Sequence, residues 1–198
     1  QSKVRRNRVK RDLVTQLFEI IFSFKNDIVS LGLGIVDFDI ADSELENWPI
    51  PDAIRRDVLR GVIRILGDNN KWVGAKGDPP SQIPPRVKKY LEKVSTGHCE
   101  VESLVQAIEG TIKKDAFAPD WLLQTNPELS MVIIKKYTTE EMKVCSRCNR
   151  VQHSDVIAIC TSSVCLKSSQ EESNFIERLR SDLHNDNLYA WLGTQPAR

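Results

Sequence analysis

Four cysteines toward the C-terminal end, Cys145, Cys148, Cys160 and Cys165, have the type and spacing to hold a metal ion. The first two enclose only Ser146 and Arg147, a gap that lets the chain turn back and aim both sulfurs at one point. The second two enclose four residues, wider than the commonest gap but within the range of zinc modules. Tetrahedral zinc takes four such ligands at about 2.3 Å, and a full protein set leaves no position for water. The spacing therefore predicts a structural zinc ion whose binding is part of the folding free energy around it. An iron–sulfur cluster and a pair of disulfides are the competing uses of four cysteines. His153 lies between the pairs as an alternative ligand, in a segment (150–159) whose Val151, Val156, Ile157 and Ile159 suggest a strand or hairpin. Cys99, beside His98, has no partner in sequence and reads as a small packing residue.

Little else in the chain could do chemistry. It contains no glycine-rich phosphate loop ending in Lys-Ser or Lys-Thr, and no His-Glu-x-x-His motif. Asp37, Asp39 and Asp42 lack the spacing of a calcium loop. Asp37 and Asp39 share one face of an expected strand, which leaves a nuclease-type metal pair as a weaker reading beside that of a solvated loop. Trp72 follows Lys71 and could stack on a base or simply pack.

Charge is unevenly distributed. Lys3, Arg5, Arg6, Arg8, Lys10 and Arg11 crowd the first eleven residues, while the whole chain sums only to +1. Such a run either meets nucleic-acid phosphate, with Arg5, Arg6 and Arg8 as contacts, or forms a solvated helix face.

The elements that must position these residues are mostly helical. Leu13, Leu17, Ile20, Ile21, Phe24, Ile28 and Leu31 predict an amphipathic helix over 12–31, ended by Gly32 and Gly34. Ile35 to Ile40 alternates like a half-buried strand. A second helix is expected from Pro51-Asp52 to Leu66, then a proline-rich loop. Helices carrying Val87, Tyr90, Leu91 and Val94, and Leu104, Val105, Ile108 and Ile112, follow, with a short turn around Trp121 to Leu123. Met131 to Ile134 reads as a strand leading into the cysteines. Phe175, Ile176, Leu179 and Leu183 suggest a final helix before an aromatic tail.

The fold class expected is therefore mainly α with a few short strands. A helical accessory domain over 1–130 precedes a zinc-binding module with a terminal helix over 131–198. With 40% hydrophobic and 28% charged residues, the chain has the composition of a folded protein. No stretch approaches the roughly 20 apolar residues of a membrane span, so no membrane partner is expected. Cysteines grouped for a metal point to a reducing compartment, the cytoplasm. The chain opens on Gln1, ends on Arg198 and reads as a piece of something longer.

Cys145-x-x-Cys148-x-Arg150, the second cysteine pair and Asn187-Leu188-Tyr189-Ala190-Trp191-Leu192 together resemble the zinc-binding region of MrfA-type bacterial superfamily-two DNA helicases. Similar regions occur in helicase-like proteins of phage-defence and DNA-modification clusters. The loop from Gly77-Asp78-Pro79-Pro80 to Pro84-Pro85, entering a helix at Arg86 to Leu91, shares the likeness, which covers roughly 78–192. Two departures stand out: the second cysteine pair is spaced by four rather than two residues, and the chain carries no ATP-binding or helicase motif. The resemblance implies an accessory region that braces a motor lying outside this chain. ATP hydrolysis would belong to that motor, and the motor domains and DNA would be the partners. Arg147, Arg150 and Lys143, near the cysteines, would then join the basic N-terminal run as phosphate contacts. The competing function is a zinc-ribbon module that holds a protein partner and never touches nucleic acid.

Overall fold

A computed structural model describes residues 2–22, 28–30, 33–73, 75, 82–115, 117–118, 121–125, 132–136, 141–152, 156–168 and 173–179. The fold is helix-rich, with short strands and one cluster of four cysteines.

Helix α1 (Ser2–Ile21) begins ten residues before the expected 12–31 helix. Its inward face is also different. Phe18, Ile21 and Phe22 are buried, whereas Leu13, Leu17 and Ile20 point to solvent. Sequence periodicity could not separate these faces, because both are apolar at helical spacing. Aromatic packing decides: Phe18 and Phe22 meet edge to face at 5.6 Å, and Phe22 stacks on Trp72 at 6.3 Å. Phe22 also lies against Gly67, where any Cβ would collide with its ring. The expected contributions of Phe24 and Leu31 lie outside the described residues.

Strand β1 (Ile35–Phe38) is buried along Val36, Asp37 and Phe38 rather than alternating. A short 3₁₀ turn (Asp42–Leu45) leads to α2 (Asp52–Asp68), entered through Pro51. Proline suits a helix entry because its missing N–H has no role there. Helix α2 is the centre of the molecule, with Val58, Leu59, Val62, Ile63, Ile65 and Leu66 all buried. Each such side chain contributes about 1.5–3 kcal/mol on burial. Helix α3 (Pro85–Ser95) lays Tyr90 against Gly61 of α2, and only glycine fits beneath that ring. Helix α4 (Val101–Asp115) adds Leu104 and Ile108 to the core.

The expected turn near Trp121 is a hairpin, with β2 (Phe117–Ala118) paired to β3 (Leu122–Leu123) and Trp121 at a φ of 56°. Strand β4 (Val132–Lys135) is the strand expected ahead of the cysteine module. It pairs antiparallel with β1, so Val132 opposes Phe38 and Lys135 opposes Ile35.

Strand β5 (Glu141–Cys145) opens the module, α5 (Ser163–Leu166) is a single helical turn within it, and β6 (Phe175–Leu179) closes it. The expected helix through Phe175, Ile176 and Leu179 is thus a strand over these residues. Three apolar positions in five residues suit either period, and pairing with β5 selects the extended form. Leu183 and the Leu188–Leu192 aromatic segment lie outside the described residues. Met142, Val144, Val151, Ile157, Ile159 and Leu166 join the same hydrophobic cluster as α2, α3 and α4, so the helical body and the cysteine region share one core.

Candidate metal centre

The first cysteine pair sits on a tight knuckle at the end of β5. Cys145 N–H donates to the Arg150 carbonyl at 2.9 Å, and Gln152 N–H donates to the Lys143 carbonyl at 2.7 Å, so 143–152 closes as a small hairpin. The turn is completed by Asn149, whose N–H bonds the Cys145 carbonyl at 2.8 Å. Its φ is 57°, a left-handed conformation that Asn tolerates better than most residues.

The second pair arrives from a different direction. Ala158 accepts a hydrogen bond from Ser173 N–H at 2.8 Å, and Cys160 N–H donates to the Ser173 hydroxyl at 3.2 Å. These bonds tie 158–160 to the entry of β6. Ser162 N–H points at the Cys160 sulfur at 3.4 Å, the orientation that stabilises a ligating thiolate. The single turn of α5 then turns Cys165 inward.

The four Sγ atoms all lie within 4.8 Å of one another. Cys145 and Cys165 are 3.6 Å apart, and Cys148 and Cys160 are 3.5 Å apart. Sulfurs bound at about 2.3 Å to a tetrahedral ion stand about 3.8 Å apart. The cluster therefore fits a four-coordinate metal with small adjustments. Cys145, Cys160 and Cys165 are buried, and Phe175 packs beside them. Reduced thiols crowded this way do not ionise equally. The hydrogen bond from Cys160, then the Arg150 backbone N–H, draws Cys148 down to about 4 despite burial. The same contact pushes Cys160 up, and burial followed by the Cys145 contact holds Cys165 up at about 12. A divalent cation would remove this conflict by holding all four sulfurs as thiolates and offsetting part of their charge.

One carboxylate ties the knuckle to α2 and α2 to α3. Asp68, at the end of α2, accepts from Arg150 at 2.7 Å and from Arg86 at 2.6 Å. Arg86 also donates to the Thr161 carbonyl at 2.9 Å and 2.6 Å, next to Cys160. Buried Arg64 of α2 donates to the Val151 carbonyl. Sequence reasoning missed Asp68, Arg86 and Phe175 as supports of the site. Nothing local marks Asp68 as a bridge to Arg150, 82 residues away. Asn149 did carry a signal, being an Asn directly after a cysteine knuckle.

The arginines expected at phosphate divide into two groups. Arg5, Arg6 and Arg8 lie exposed on α1, and Arg147 is exposed on the knuckle turn. Arg150 is withdrawn into its pair with Asp68, which leaves it a structural residue; Lys143 is half-buried on β5. Trp72 is buried against Phe18 and Phe22, so it packs and cannot stack on a base. Asp37 is fully buried and held by Arg60 at 2.9 Å and by Lys135, whereas Asp39 is exposed, so the two do not form a metal pair. Cys99 is half-buried away from the four, and His153 lies outside the described residues. No described helix is long and apolar enough to cross a membrane. Comparison with family models, curated proteins and solved structures returns no match.

Proposed function

We propose that this chain is a non-catalytic, zinc-stabilised accessory region of a cytoplasmic DNA helicase or translocase, which braces the motor and contacts the DNA backbone. The observation that carries the zinc reading is the convergence of four thiols within 4.8 Å. Four protein ligands fill a tetrahedral ion, which gives it a structural rather than a hydrolytic role. Among first-row ions, an all-thiolate tetrahedral set suits zinc, with iron–sulfur chemistry as the competitor. Contact with DNA is supported by the exposed cations of α1, Arg5, Arg6 and Arg8. The assignment to a helicase rests on the resemblance of 78–192, and ATP would bind in the motor domains.

The experiment is fluorescence anisotropy of the zinc-loaded chain with labelled single- and double-stranded DNA across a salt series. Binding that weakens with salt, with a slope reduced when Arg5, Arg6 and Arg8 become Ala, is the expected result. No binding at low salt sinks DNA contact by this region. Iron rather than zinc in metal analysis would sink the zinc assignment independently.

A second reading, a zinc-ribbon module that holds a protein and no nucleic acid, is favoured by one finding. Arg150 is committed to Asp68, so the basic character expected around the cysteines is reduced.

A further inference from the structure

Helix α1 presents its cations to two opposite sides. Phe18, Ile21 and Phe22 pack on the body and fix the way the helix faces. At about 100° per residue, the direction opposite that packed face runs through Arg5, Val9 and Gln16, all exposed. Arg8 lies about 100° to one side of Val9 and Lys10 about 100° to the other, with Arg6 about 40° from Lys10. Arg6, Arg8 and Lys10 are exposed as well, and Arg8 stands about 160° from both of the others. The arginines of α2 are placed differently, since Arg55, Arg56 and Arg60 each meet a carboxylate. Asp12, one turn on from Arg8, ends the cationic stretch of α1. Cations at the start of a helix oppose its dipole, and an anion beside them offsets that cost.

We infer that the first turns of α1 lie in the major groove of double-stranded DNA, with Arg8 against the phosphates of one strand and Arg6 and Lys10 against those of the other. The inference rests on the DNA reading above and names the form of nucleic acid that this helix takes. A single strand offers one row of phosphates, which one side of a helix can meet. Cations on opposite sides need anions on both, and a duplex groove has a phosphate wall on each side. The major groove, about 12 Å wide, admits a helix of about 10–12 Å, whereas a minor groove of about 6 Å does not. Arg5 and Val9 then face the base edges, where arginine donates to guanine and an apolar side chain meets the thymine methyl. The body does not obstruct this arrangement. Its contacts lie on the opposite face, and Phe18, the first buried residue described in α1, is about 12 Å along the axis from Lys10.

The test compares three labelled probes of one sequence, a DNA duplex, its single strand and the matching RNA duplex, with the full zinc-loaded chain at one salt concentration. The DNA duplex should bind at least about tenfold tighter than either of the others, because the RNA duplex carries the same charge but its major groove is deep and narrow. Arg8→Ala and Lys10→Ala should each weaken binding to the DNA duplex and each lower its salt slope by about 1, with metal content unchanged. A lowered slope in only one of these variants, or equal affinity for the DNA duplex and either other probe, overturns the groove assignment and leaves DNA contact standing. Absence of binding to every probe at low salt removes both.

Discussion

Two buried polar clusters in this protein are built in opposite ways. Around Asp37 the chain supplies its own counter-charges. The carboxylate on β1 is met by Arg60 of α2 and Lys135 of β4, with Arg56 at 3.7 Å, and Arg60 is shared with Asp57 at 2.7 Å. Around Cys145, Cys148, Cys160 and Cys165 four thiols converge on one point, an arrangement that could hold a metal ion. The contrast explains what each cluster does. The first joins β1, α2 and β4, whereas an ion held by the second would make the fold of its region conditional on that ion.

Removing one ligand should break this comparison most severely. Cys148→Ser should lose stoichiometric metal and unfold β5, β6 and the knuckle, a cost of up to ~10 kcal/mol if zinc-finger peptides are a guide. Metal analysis with amide-exchange protection across 141–179 reads both effects. Full metal content with unchanged protection would sink the structural-metal role. Chelation should reproduce the loss without any substitution.

Asp37→Ala should come next. It leaves Arg60 and Lys135 around an emptied carboxylate site, at a cost of about 3–5 kcal/mol in urea denaturation, while metal content stays unchanged. Loss of metal from this variant would show that the two clusters are not separable.

Acid should act on the Asp37 cluster in a defined window. Burial alone would raise the Asp37 carboxyl, but hydrogen bonds from Arg60 and Lys135 outweigh it and lower the group from 3.8 to about 2. A depressed folded pKa contributes stability that is complete above the unfolded value and is lost as pH falls through the folded one. Between about pH 4 and pH 2 the chain should lose about 2 kcal/mol on this account. The matching slope should be missing from Asp37→Asn, and a slope retained in that variant would assign the acid sensitivity elsewhere.

The smallest effect tests the joint between the regions. Arg150→Gln removes one of the two partners of Asp68 and should cost about 1–2 kcal/mol, since Arg86 still holds the carboxylate. DNA affinity should not change, because this guanidinium faces inward. A drop in affinity equal to that of Arg8→Ala would restore Arg150 as a phosphate contact.

The two clusters also differ in how legible they were. The convergence of the cysteines could be read from spacing alone, because two short-gapped pairs form a donor set for one ion and the short Cys145–Cys148 gap already dictates the turn. The helices carrying Val58 to Leu66 and Val87 to Val94 were equally plain, since one apolar face repeats at a helical period. Asp37 gave no such signal: its partners stand 23 and 98 positions away in sequence and meet it only through the α2 packing and the β1–β4 register. The same limit applied where local pattern allowed two answers. Both faces of α1 are apolar, and Phe22 against Gly67 and Trp72 chose the inner one. Phe175 to Leu179 could wind or extend, and the free edge of β5 chose extension. Local chemistry thus determined the ligands and the central helices, whose causes lie within a few residues of each other. Tertiary structure decided the strand partners, the buried charges and the orientation of α1, because those energies arise between segments far apart in the chain.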